Sequence, residues 1–159
     1  DGICQKPEQG EMKMKTRILL MMFAGAMASG AADKPDPKLV AQGKVLFQTK
    51  ICFTCHQVDP AVPAPAGLAL KASKFVGDFW GKKRQVQLDA DPKTPVFEPS
   101  GKFEEVVLDD KYFMESVEKP MLKVVKGAIP GMAPLPTTAD ERKALLAFVK
   151  SLSKPEKKK

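Results

Sequence analysis

Residues 52–56 read Cys52-Phe53-Thr54-Cys55-His56. Two thiols with two residues between them stand directly before an imidazole, and this stretch decides how the rest of the chain is read. His56 is the chain's only histidine, and the third cysteine, Cys4, lies far upstream. A length of 159 residues suits one domain, and 43% hydrophobic with 28% charged residues excludes a disordered or collagen-like chain. The 14 prolines point to long loops.

The spacing C-x-x-C-H is the attachment signature of a c-type haem. Two thiols add to the two vinyl groups of one porphyrin, so both sulfurs must reach one edge of it. One helical turn starting at the first cysteine achieves this. The next residue then brings its imidazole beneath the iron as proximal ligand. Other readings of the cysteine pair meet obstacles. A thioredoxin-like redox pair belongs in an α/β chain, and no such alternation is visible. A zinc site needs two further Cys or His ligands, and only His56 is left to serve once Cys4 leaves with the leader described below. A disulfide across so short a loop is strained. The motif therefore implies one covalent haem c on Cys52 and Cys55, with His56 on the iron.

Bis-histidine ligation is unavailable within this chain. The sixth iron position falls to Met, Lys, a weaker group, or nothing. Three methionines remain after the leader: Met114, Met121 and Met132. Met114 lies in a helix-like stretch, and Met121 follows Pro120 at that helix's end. Met132 sits in Gly127-Ala128-Ile129-Pro130-Gly131-Met132-Ala133-Pro134, a Pro/Gly-rich loop. A thioether on a rigid loop is well suited to be fixed against iron. A methionine within a helix serves as adaptable core filler. Met132 is the favoured ligand, with Met121 and Met114 behind it.

Upstream, residues 18–28 read ILLMMFAGAMA, after Lys13, Lys15 and Arg17 and before Ser29-Gly30-Ala31-Ala32. A basic start, an apolar run of about 7–15 residues and small residues at the end make a secretory signal peptide. A membrane span needs about 20 apolar residues, so an uncleaved anchor is the lesser reading. Cleavage is expected after Ala28, Ala31 or Ala32, giving an exported, periplasmic protein. Residues 1–11 sit awkwardly before such a leader, and Met12 or Met14 is a more natural start. The expected organisation is leader and upstream sequence at 1–32, one domain at 33–153, and a basic tail at 154–159. The leader holds four basic and three acidic residues, so its loss lowers the net charge from +7 by one. The tail is a solvated end or a basic face for an acidic partner. No aromatic interleaving argues for nucleic acid.

Downstream, the chain punctuates itself. Asp36-Pro37 starts a helix over about 37–49, with Leu39, Val40, Gly43, Leu46 and Phe47 inward. A glycine inside a helix is costly unless something packs against it. Residues 60–71 read as a Pro/Ala-rich loop. Phe75, Phe79 and Trp80 are candidates to wall an apolar pocket, or simple core. Residues 84–88 and 103–107 alternate loosely and predict a hairpin with a long turn. Asp109 caps a helix over about 110–118, stopped by Pro120. Thr138 and Glu141 form a capping box for a last helix over 139–152, with Leu145, Leu146, Phe148, Val149 and Leu152 inward.

From about residue 36 to 152 the chain resembles a class I monohaem cytochrome c. The resemblance rests on Gly43 and Phe47 in the first helix, the Cys52–His56 motif, the loop methionine Met132 and the amphipathic last helix. The segment Leu108 to Pro120, with Lys123-Val124-Val125-Lys126-Gly127 and Ile129 to Pro134, is similar to the cytochrome c module attached to some oxidase subunit II chains. The resemblance implies a mostly α fold whose first and last helices cross closely around a covalent haem, plus a short β-hairpin insertion. Gly43 would allow that crossing, with Phe47 and Phe148 nearby. It also implies a proline whose carbonyl holds the His56 ring; Pro65 is the first choice and Pro63 the second. Trp80 and Ile129 join the expected cofactor contacts. Met132-Ala133-Pro134 departs mildly from the family's usual Met-Pro. Cytochrome c′ carries its motif near the C-terminus, and here over a hundred residues follow it.

The expected function is single-electron transfer between redox proteins, with a terminal oxidase or quinol-oxidising complex among the candidate partners. No nucleic acid or small-molecule substrate is expected, and membrane contact is expected only through partners. His/Met ligation saturates the iron, so catalysis is not expected. Two alternatives stand beside this: a haem subunit of a larger respiratory or dehydrogenase complex, and a sensor or peroxidase with an open iron site.

Overall fold

The computed structural model describes residues 34–88 and 101–154. The expected leader, the tail beyond Lys154 and the turn over 89–100 lie outside the described residues.

Pro37–Thr49 forms α1. The Asp36 carboxylate accepts from the Lys38 N–H at 2.9 Å. Pro37 suits the first helical position, where a missing N–H costs nothing. The helix closes at Lys50, and Ile51 takes a left-handed conformation at φ 53°. That conformation is rare for a β-branched residue. It reverses the chain so that Cys52–Thr54 winds as a 3₁₀ turn.

Part of the expected 60–71 loop is helical: Pro65–Leu70 forms α2. Six residues with no side-chain cap are too short for periodicity to reveal. Packing holds the segment instead, because Gly67 lies so close to the motif that a Cβ there would overlap the Cys55 carbonyl.

Lys83–Leu88 (β1) and Phe103–Val107 (β2) pair antiparallel, with Val86 opposite Glu104. Asp110–Glu118 forms α3, whose Asp109 cap accepts from the Tyr112 N–H at 2.8 Å. Lys123–Val125 forms β3, which pairs antiparallel with β1 through Val86 and Val125. The sheet order is β2-β1-β3. The expected hairpin is thus a three-stranded sheet, because a three-residue strand leaves no alternation to read.

Ala139–Leu152 forms α4 behind a complete capping box. The Thr138 N–H donates to Glu141 at 2.8 Å, and the Glu141 N–H donates to the Thr138 hydroxyl at 3.1 Å. Helix α4 packs directly on α1. A Cβ on Gly43 would overlap the Ala144 carbonyl oxygen and crowd Phe148. Phe47 and Phe148 meet edge to face with ring centroids 5.4 Å apart. The core continues through Phe75, Leu108, Phe113 and Val149.

The described residues thus hold four α-helices and one three-stranded antiparallel sheet. None of these helices is long and apolar enough to cross a membrane.

Candidate functional site

A cavity of about 320 Å³ opens beside the cysteine motif. Cys52, Cys55 and His56 line it together with Ile129, Met132 and Met121, while Phe47, Phe75, Tyr112 and Phe113 give it aromatic walls.

The motif's geometry comes from one carbonyl. Cys52 O accepts from the Cys55 N–H at 3.2 Å and from the His56 N–H at 2.9 Å. Thr54 anchors the turn by donating its hydroxyl to Ile51 O at 2.8 Å. Both thiols are free and half-buried. Burial pushes the Cys52 thiol above its ordinary pKa.

His56 is oriented from two sides. Its Nδ1 lies 2.8 Å from Ser73 O. A carbonyl oxygen only accepts, so Nδ1 carries the proton and Nε2 keeps a lone pair for a ligand. The Phe75 ring stacks against the imidazole at 5.0 Å and 22°. Burial lowers the His56 pKa, with the Ser73 bond pulling the other way. The Phe75 N–H donates to Gln57 O at 2.8 Å, which holds the 73–75 segment alongside the motif.

The residue opposite Nδ1 is therefore Ser73, not Pro65 or Pro63. Pro65 is exposed and opens α2, where its carbonyl runs along the helix axis as part of the ladder. Trp80 likewise lies away from the cavity wall. Its ring packs 6.1 Å from Phe113 and 6.5 Å from Phe79, with Lys150 Nζ 5.5 Å over it. The Phe79 and Trp80 N–H groups both donate to the Ser153 hydroxyl, at 3.1 and 2.9 Å, pinning this corner to the end of α4.

The cavity separates the methionines. Met132 and Met121 line it, and Met114 does not. Met121 packs against Val124 and Ala128. Ile129 is one-third exposed, and its N–H donates to Leu70 O at 2.8 Å.

Arg84 is the cavity residue that sequence reasoning missed. Its guanidinium donates to the Ser73 hydroxyl at 3.2 Å and stands 5.9 Å over the Tyr112 ring. Burial presses its pKa down, opposed by Tyr112, and no carboxylate among the described residues joins in. Arg84 still carries its charge. The signal was available: strand alternation places Arg84 on the same face as buried Val86. A cation held in an apolar cavity with no counterion among the described residues suits an anionic ligand.

Among the described residues no three His, Cys, Asp or Glu side chains gather as a metal site. No known protein family matches this chain, and no curated protein does.

Proposed function

We propose that this protein is a class I cytochrome c: an exported, periplasmic carrier of single electrons with one covalent haem c. One observation carries the reading. Both thiols and the lone histidine of C-x-x-C-H converge on one aromatic-walled cavity that is also lined by two thioethers and the Arg84 guanidinium. The close crossing of α1 and α4 at Gly43 supports the fold assignment.

The residues fit haem point by point. Cys52 and Cys55 offer thiols for the two vinyl groups. His56 offers Nε2 to the iron, its other nitrogen fixed by Ser73. Met132 offers a thioether, and Arg84 offers a positive charge to the propionate carboxylates. A haem bound there supplies reversible one-electron chemistry at iron, between ferrous and ferric states. The protein's part is electrostatic and steric. The thioether favours the ferrous form, as does burial of the site, and the aromatic walls exclude water. With His56 and Met132 both serving as ligands, the iron would have no position open to O₂ or peroxide. Redox proteins are the partners, a terminal oxidase or quinol-oxidising complex among them, and membrane contact runs through them.

The test is an absorption spectrum of the purified protein, oxidised and reduced. Sharp reduced α and β bands and a weak ferric band near ~695 nm are expected for His/Met ligation. Met132→Ala abolishes the ~695 nm band and Met121→Ala leaves it in place. Ready uptake of carbon monoxide by the unmodified ferrous protein would instead place it among sensors or peroxidases.

A further inference from the structure

We propose that Lys50 is a positioning residue for Met132, holding the methionine loop by its C-terminal end. This rests on the His/Met reading above. From Pro130 to Leu135 the backbone makes no hydrogen bond with the rest of the protein among the described residues. The span hangs between Ile129 and the run into α4, where Arg142 Nη1 also donates to Thr137 O at 2.6 Å. At one end Ile129 N–H donates to Leu70 O at 2.8 Å. At the other, Lys50 Nζ donates to Pro136 O, also at 2.8 Å.

Pro136 has no N–H, so its carbonyl is its only main-chain hydrogen-bonding group. Pro130 and Pro134 stiffen the span, so fixing its ends fixes Met132 between them. Lys50 is well placed to hold one of those ends. Its own N–H closes α1 by donating to Leu46 O at 2.8 Å. Its ammonium lies 3.4 Å from Glu141 of the α4 capping box, and only a quarter of its side chain is exposed. It stands two residues before Cys52, so the chain that delivers the first thiol also tethers the methionine loop.

A charge-assisted bond to a carbonyl is stronger than a neutral one. Its loss should let the span swing away from iron more often without unfolding the domain. Exogenous imidazole reads this directly, because it competes with Met132 for ferric iron. Lys50→Met keeps the aliphatic stem and removes the donor. The holoprotein variant is expected to bind imidazole about tenfold more tightly and to show a weaker ~695 nm band. Its far-UV circular dichroism and covalent haem content should match the parent. Lys50→Arg, which restores a cationic donor, should recover both readouts. Glu141→Ala leaves the Pro136 bond intact and should move them less.

Unchanged imidazole affinity in folded Lys50→Met would overturn the proposal. A larger effect from Glu141→Ala would also overturn it, by assigning the control to the helix cap. If Lys50→Met does not fold, Lys50→Gln, too short to span the gap, takes its place under the same criteria. A parent protein with no ~695 nm band would sink the His/Met reading itself, and the role of Lys50 with it.

Discussion

His56 Nδ1 and Ser73 O lie 2.8 Å apart, a bond between a side chain and a main chain seventeen residues on. Because Ser73 contributes its carbonyl, its side chain is free for another task, accepting from Arg84 at 3.2 Å. The two roles separate by mutation. Ser73→Ala keeps the carbonyl, loses only the bond to Arg84, and should cost about 1–2 kcal/mol in urea denaturation. Phe75→Ala removes the buried ring stacked on His56 and should cost about 3–5 kcal/mol. Equal losses from the two would contradict this division.

Gly43 sits where α1 meets α4. On an isolated helix, Gly→Ala would gain up to about 1 kcal/mol. Here the added methyl overlaps the backbone of Ala144, which cannot rotate away as a side chain tip would. Overpacking costs about 1–3 kcal/mol, so Gly43→Ala should destabilise despite its better propensity. A raised Tm would show that the two helices are not in this contact.

Glu141 predicts a pH dependence. Its carboxylate accepts from the Thr138 N–H and faces Lys50, which hold it below its ordinary 4.5. A lowered native pKa contributes stability above the unfolded pKa, and that stability is lost as pH falls below 4.5. Between the two pKa values the unfolded chain takes up the proton first. Thermal melts of the parent and Glu141→Gln should therefore differ at neutral pH and converge in acid. Parallel curves throughout would mean that Glu141 does not couple to folding.

Arg84 makes a prediction about potential under the proposed function. A nearby cation disfavours the additional positive charge of ferric iron, so Arg84→Leu should lower the reduction potential. Coulomb's law at an intermediate dielectric gives a change on the order of tens of millivolts. Redox titration measures it, and an unchanged or raised potential would remove Arg84 from the site.

The sequence was most legible where chain chemistry is local. Asp36-Pro37, Asp109 and the Thr138–Glu141 box mark helix starts that the structure keeps, because a cap is decided by the residues beside it. The hairpin followed from alternation. Helix α2 and strand β3 were hidden because neither is long enough to display a period. The Ser73 bond was hidden for a different reason: any residue has a carbonyl, so side-chain identity says nothing about which one meets His56. Trp80 misled in the opposite way. Large aromatics suit a pocket wall and a core alike, and only the fold decides that Phe75 and Phe113 line the cavity while Trp80 packs behind them.

The direct packing of α1 on α4 also orders events in time. A ribosome delivers α1 and the two thiols early and α4 last. Gly43 has no surface to close on until Ala144 and Phe148 have emerged. Pairings between distant parts of a chain wait on loop closure and form late. Until α4 is made, then, Cys52 and Cys55 belong to a chain that has not yet closed on itself. A chain shortened before Ala139 lacks the Gly43 contact, so α1 and the turn that carries both thiols should stay unpacked.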